Sequence, residues 1–97
     1  MKAEVQWSEQ VQNFVSSLAP DPKRKVRAGI RGLAADQGDI QPLVDDLTGY
    51  NRLRIGDFRV IYRDAFERGV PVRKCLFAER RNLVYEIFRK MVLDDIR

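Results

Sequence analysis

The sequence predicts an α+β fold: an N-terminal strand, an αα-hairpin packed on an antiparallel four-stranded sheet, and a C-terminal helix. Two observations carry this. Apolar and polar residues alternate along three runs, as in half-buried strands, and a fourth ends in an uninterrupted apolar stretch, whereas three other runs space their apolar residues as the stripe of an amphipathic helix. Short glycine-bearing turns join the later strands, which makes them antiparallel hairpins. With 97 residues the chain can bury one modest core, so a single domain over 1–97 is expected.

Ala3, Val5 and Trp7 alternate with Glu4 and Gln6, which makes residues 2–7 a strand. Ser8 then caps a helix whose buried stripe is Val11, Phe14, Val15 and Leu18, and Pro20 ends it. Asp21-Pro22 starts the second helix, with aspartate as cap and proline at the first helical position, where its missing N–H is harmless. Val26, Ile30, Leu33 and Ala34 give that helix its buried face. Gly29 and Gly32 weaken it by about 1 kcal/mol each relative to alanine, and glycine on a helix permits close packing against a neighbour. From Asp36 to Thr48 come Gly38, Pro42 and four aspartates, the composition of a loop, anchored by Leu43, Val44 and Leu47.

The second half is strand-rich. Leu53 and Ile55 alternate with Arg52 and Arg54, Gly56-Asp57 forms a tight turn, and Phe58, Val60 and Tyr62 alternate with Arg59, Ile61 and Arg63. Glu67-Arg68-Gly69 is a second turn, and Val70 to Ala78 a third strand, buried through Cys75-Leu76-Phe77-Ala78. Val84, Ile87, Phe88, Met91, Val92 and Ile96 recur on a 3.6-residue period, so the last helix runs from a cap at Asn82 to the terminus.

An apolar fraction of 44% with 33% charged residues belongs to a globular chain rather than a disordered one. Met1-Lys2-Ala3-Glu4 lacks the pattern of a signal peptide and no apolar run approaches ~18 residues, so a cytoplasmic location without membrane insertion is expected. The single cysteine, Cys75, fits a reducing compartment and packs as a small hydrophobe. No metal-ligand cluster or glycine-rich phosphate loop occurs, and without histidine no Ser/His/Asp set can form, so operation without metal or cofactor is expected.

The net charge of +4 is unevenly placed. Residues 1–48 hold 6 Lys+Arg against 7 Asp+Glu, and residues 49–97 hold 12 against 7. Ten of those 12 are arginine, whose planar fork suits phosphate, so the expected partner is a polyanion. On the second helix Lys23, Arg24, Lys25, Arg27 and Arg31 read first as a solvated face, with ribosomal RNA contact as the functional alternative.

If Gly56 and Asp57 are the turn, Ile55 lies opposite Phe58, Arg54 opposite Arg59, Leu53 opposite Val60 and Arg52 opposite Ile61. One face of the hairpin is then apolar. On the other, Arg54 and Arg59 are cross-strand neighbours with Arg52 and Arg63 adjacent, a like-charge arrangement that costs up to ~1 kcal/mol unless an anion lies between. A solvated sheet face is the bland alternative.

The segment Leu47-Thr-Gly-Tyr-Asn-Arg-Leu-Arg-Ile-Gly-Asp-Phe-Arg-Val-Ile-Tyr62 resembles the central hairpin of the RelE/ParE superfamily of toxin–antitoxin toxins. Arg81-Asn82-Leu83-Val84-Tyr85 resembles the family's opening of the last helix. The order of elements agrees over essentially the whole chain. The resemblance implies a RelE-like microbial ribonuclease-type fold and, in the RelE-like branch, a metal-independent, ribosome-dependent mRNA endonuclease in which the ribose 2′-OH attacks the adjacent phosphate. It further implies that Arg54 and Arg59 hold the scissile phosphate, Arg81 assists at the leaving oxygen, and Tyr85 stacks on or orients a base. Arg52, Arg63 and Arg80 extend the grip on RNA. Arg81 and Tyr85, at i and i+4, share a face if the last helix has begun there.

RelE proper has lysines where this chain has Arg52 and Arg54, and many relatives have a histidine just before the late arginine, where this chain has Ala78-Glu79-Arg80. Arginine is a poor base, so Glu79 is the candidate proton acceptor, on its proximity to Arg81 in sequence. The resemblance also implies a cognate antitoxin, with ribosome and mRNA as the other partners. Two alternatives stay open: a ParE-like inhibitor of DNA gyrase, and an inactive RelE-fold binding protein.

Overall fold

The computed structural model describes residues 2–96, and side chains as far as Asp94. The expected apolar position Ile96 and the terminal Arg97 therefore lie outside the described side chains. Five strands form one sheet: β1 (Glu4–Trp7), β2 (Asp39–Pro42), β3 (Asn51–Ile55), β4 (Phe58–Glu67) and β5 (Val70–Arg80), in the order β1-β5-β4-β3-β2. The helices are α1 (Glu9–Ser16), α2 (Pro20–Gly32) and α3 (Val84–Ile96). β1 runs parallel to β5 and all other pairs are antiparallel.

The expected four-stranded antiparallel sheet is therefore a five-stranded mixed one. β2 lies in the stretch expected to be loop. Its only apolar residue, Ile40, pairs with Leu53 and packs on the core, while Asp39, Gln41 and Pro42 are exposed. Proline and charge are what an edge strand tolerates, and they hide it from a period-two reading.

The helical hairpin also begins differently. Ser8 caps α1 as expected, its Oγ accepting from the Val11 N–H at 3.2 Å while donating to the Leu76 carbonyl at 2.9 Å. α1 stops at Ser16, however, and α2 opens at Pro20 with Ala19 as its cap. Proline needs no amide partner at the first helical position, so Pro20 starts the second helix instead of ending the first. Asp21 falls within its first turn and pairs with Arg24 at 2.8 Å.

β1 ends at the Trp7–Cys75 pair while β5 runs on to Arg80. The Gln10 side chain takes the place of the missing strand residues. Its Nε2 donates to the Ala78 carbonyl at 2.7 Å and its Oε1 accepts from the Ala78 N–H at 2.8 Å. Ala78 is buried, so Gln10→Ala strands both backbone groups. The expected cost is about 2 kcal/mol, read as a lower urea midpoint at unchanged slope.

Two cores flank the sheet. Between the sheet and α1 and α2 lie Val11, Val15, Val26, Ile30, Leu33, Leu53, Val60 and Tyr62. Gly29 is what lets α2 approach: a Cβ there meets the Ile55 Cδ1 at 2.6 Å. On the other face Leu47, Ile61, Phe77, Val84 and Phe88 form a second core under α3. A bulge in β5, where pairing steps from Ile61–Phe77 to Tyr62–Cys75, turns both Leu76 and Phe77 toward that second core and Cys75 toward the first. Burial pushes the Cys75 thiol up to about 12, in keeping with its role as a packed hydrophobe.

Arg73 ties the far end of the sheet together. It pairs with Asp36 and with Asp64, the latter at 2.9 Å, and lies 5.7 Å from the centre of the Tyr62 ring. Burial raises the Tyr62 phenol above its ordinary pKa and the Arg73 charge partly offsets this.

Candidate functional site

The β3–β4 turn sets the site. Gly56 takes φ +56° and Asp57 needs no positive φ, the pattern of a type II′ hairpin with glycine at its first central position. That two-residue loop fixes the expected register: Ile55–Phe58, Arg54–Arg59, Leu53–Val60 and Arg52–Ile61. Across β4 the register continues as Arg59–Glu79 and across β3 as Arg54–Asp39. One row of the sheet, at the turn end and on the face carrying α3, therefore reads Asp39, Arg54, Arg59, Glu79. Directly opposed side chains in such a row have Cβ atoms about 5 Å apart.

Arg59 is the inner member, 8% exposed. Its Nη1 donates to the carbonyls of Gly56 at 2.7 Å and Phe58 at 2.9 Å. Those contacts fix the guanidinium against the turn while adding no negative charge, and among the described residues no carboxylate lies within ion-pair distance of it. Arg54 is exposed beside it. Glu79 is half-buried, and its Oε2 accepts from the Arg80 N–H at 3.0 Å.

Arg81 reaches the same end by a different route. Its N–H donates to the Asp57 carbonyl at 2.9 Å and its Nε lies 3.8 Å from the Asp57 carboxylate. The backbone contact staples the β5–α3 connection to the hairpin turn. The ionic one joins two exposed side chains and contributes little.

The other expected residues are placed apart from this row. Arg52 lies one row further in and is 13% exposed at its side chain; its Nη2 donates to Asp39 at 3.1 Å and to Gln41 at 3.0 Å, while its Nε is buried without a partner. It is held to β2 rather than free for RNA. Arg63 pairs with Lys74 four residues along β4, about 13 Å from the turn row at the rise of a strand. Arg80 pairs with Phe58, so it projects from the opposite face, its guanidinium 5.4 Å from the Phe58 ring centre. α3 begins at Val84 rather than Asn82, so Arg81 sits in a turn and does not share a helical face with Tyr85. Tyr85 is half-buried against the second core.

Asp57, which steadies Arg81, and Asp39 and Gln41, which engage Arg52, went unassigned in the sequence. Asp57 stands in the turn motif itself, whereas Asp39 and Gln41 become visible only once β2 is known. Among the described residues no group of His, Cys, Asp and Glu side chains could hold a metal ion, and no helix is long and apolar enough to cross a membrane.

No protein-family model and no curated protein matches the sequence. Solved structures do. The RelBE2 toxin–antitoxin complex from Mycobacterium tuberculosis contains a chain that superimposes with a TM-score of 0.70 at 20% identity, over 84% of this chain and 100% of that one. The archaeal RelE–RelB complex from Pyrococcus horikoshii gives 0.64 at 27% identity, over 84% and 97%. The YoeB/ParE toxin from Agrobacterium tumefaciens gives 0.65 at 19% identity, over 80% and 98%. The chain therefore has the fold of these RelE and YoeB/ParE toxin structures, with the motifs at 47–62 and 81–85 lying on its central hairpin and at the opening of its last helix.

Proposed function

We propose that this protein is the toxin of a type II toxin–antitoxin module and cleaves mRNA on the ribosome, with a cognate antitoxin as its protein partner. The supporting observation is Arg59: a buried guanidinium oriented by two carbonyls, without a carboxylate partner among the described residues, directly between Arg54 and Glu79. A buried cation lacking its own anion favours one from outside, and phosphate supplies it.

In this reading Arg54, Arg59 and Glu79 of the row, and Arg81 beside it, each take a role. Arg54 and Arg59 neutralise the scissile phosphate as charge builds on its oxygens. Glu79 takes the proton of the ribose 2′-OH, whose oxygen bonds to phosphorus. The bond to the 5′-oxygen breaks beside Arg81, which stabilises that leaving oxygen while solvent protonates it, giving a cyclic phosphate and a 5′-OH. The antitoxin partner is supported by the RelBE2 and archaeal RelE structures, both complexes with antitoxin.

Primer extension on a translated message, with wild type and Arg59→Ala, tests the proposal. Codon-positioned 3′ ends produced by wild type alone are expected. Growth arrest with intact message and inhibited gyrase overturns it in favour of a ParE-like inhibitor. Glu79→Gln, which keeps the shape but cannot accept the proton, is expected to slow single-turnover cleavage by about 10²-fold or more. Full cleavage by that variant removes Glu79 from the mechanism.

A further inference from the structure

On the sheet face opposite Arg54, Arg59 and Glu79, the first turns of α2 stand off from the hairpin and leave a cavity of about 260 Å³. Ile55 and Phe58 supply apolar wall, and Asp21, Lys25 and Asp57 line the same space. That volume is below the roughly 300–1,000 Å³ of pockets for drug-sized ligands and suits a single planar ring system. Arg80 projects from this face too, over the Phe58 ring, so a cation stands beside the cavity.

Gly56 separates the cavity from the arginine row. A Cβ there meets nothing within 4 Å, so the tip of the hairpin is bare backbone over which a ribose can pass. The residues flanking it, Ile55 and Phe58, neighbour Arg54 and Arg59 in sequence and point to the other face. A strand whose phosphate lies on the arginine row therefore has a ring-sized cavity waiting one residue away around the turn.

We propose that this cavity is a base-recognition subsite, taking an amino-bearing nucleobase of the nucleotide adjacent to the scissile phosphate. It rests on the nuclease function proposed above. Carboxylates accept hydrogen bonds and cannot donate them. An exocyclic amine on adenine, cytosine or guanine offers N–H donors to the carboxylates of this wall, Asp21, which also meets Arg24 at 2.8 Å, and Asp57, which lies 3.8 Å from Arg81; uracil has no such amine. Phe58 and Ile55 provide contact that every base can use, and the carboxylates supply the selection.

The test is an NMR titration of the full chain with AMP, CMP, GMP and UMP, with inorganic phosphate as control. The three amino-bearing nucleotides are expected to shift the Ile55 methyl and Gly56 amide signals saturably, with UMP about tenfold weaker. Inorganic phosphate is expected to move Arg54, Arg59 and Arg81 only. Asp57→Asn and Asp21→Asn should each narrow the gap between CMP and UMP, since an amide both donates and accepts. Equal binding of all four nucleotides, or no saturable shift at Ile55, overturns the subsite. A protein that binds CMP here yet cuts no translated message keeps the subsite and loses the nuclease function, whereas one that cuts message but fails to discriminate loses the subsite alone.

Discussion

Arg59→Ala will lower cleavage of a translated message by about 10² to 10³-fold, the loss that follows removal of one preorganised charge-stabilising group. The size of the effect comes from burial. Arg59 is held by the Gly56 and Phe58 carbonyls through Nη1, which leaves Nε and Nη2 to meet phosphate without reorganising during the reaction. Arg59→Lys keeps the charge but replaces a planar fork with a single ammonium, which cannot hold both carbonyls and clamp phosphate together; most of the loss is expected to remain. Stability should change far less, by about 1 kcal/mol, because the removed cation has no carboxylate partner to leave behind. Rapid-quench cleavage in a reconstituted translation reaction, beside a urea melt of each variant, separates the two effects. A loss of tenfold or less at Arg59 means that the phosphate is held elsewhere.

The hairpin was legible in the sequence because its register has one degree of freedom, and Gly56 removes it. With the turn placed, Arg54 must oppose Arg59. What covers the arginine face was not legible, although Ile61 is a clue: an apolar residue alternating with Arg59 and Arg63 belongs to a face that something must cover, and α3 covers it. The face that Arg80 takes was not legible, because the sequence carries the strand only to Ala78. Two more residues of β5 pair Arg80 with Phe58 and bring Glu79, chosen only for its nearness to Arg81 in sequence, opposite Arg59. Tyr85 and Arg81 were expected to act together from one helix, but Val84 is buried in the second core and α3 starts there, leaving Arg81 outside the helix.

Phe88→Ala is expected to remove about 3–5 kcal/mol from the docking of α3. Phe88 is 3% exposed, packs edge-on against Tyr50 with ring centres 4.9 Å apart, and lies 6.1 Å from Phe77. A domain of this size is stable by about 5–15 kcal/mol in total, so the loss is a large share of it. The second core is separate from the one under α1 and α2, and the sheet keeps that first core when Phe88 is truncated. Nor can the Arg89–Asp46 pair retain the helix: at 2.8 Å but half exposed on both sides, it contributes at most ~1 kcal/mol. Amide exchange should therefore accelerate along 84–94 while β3 and β4 stay protected, and the same measurement on Leu53→Ala, in the first core, should show every element losing protection together. Uniform loss in both variants means that the two cores unfold as one unit. Loss confined to α3 means that the helix can leave its core on Ile61 and Phe77 while the arginine row, set by the β3–β4–β5 register, stays in place.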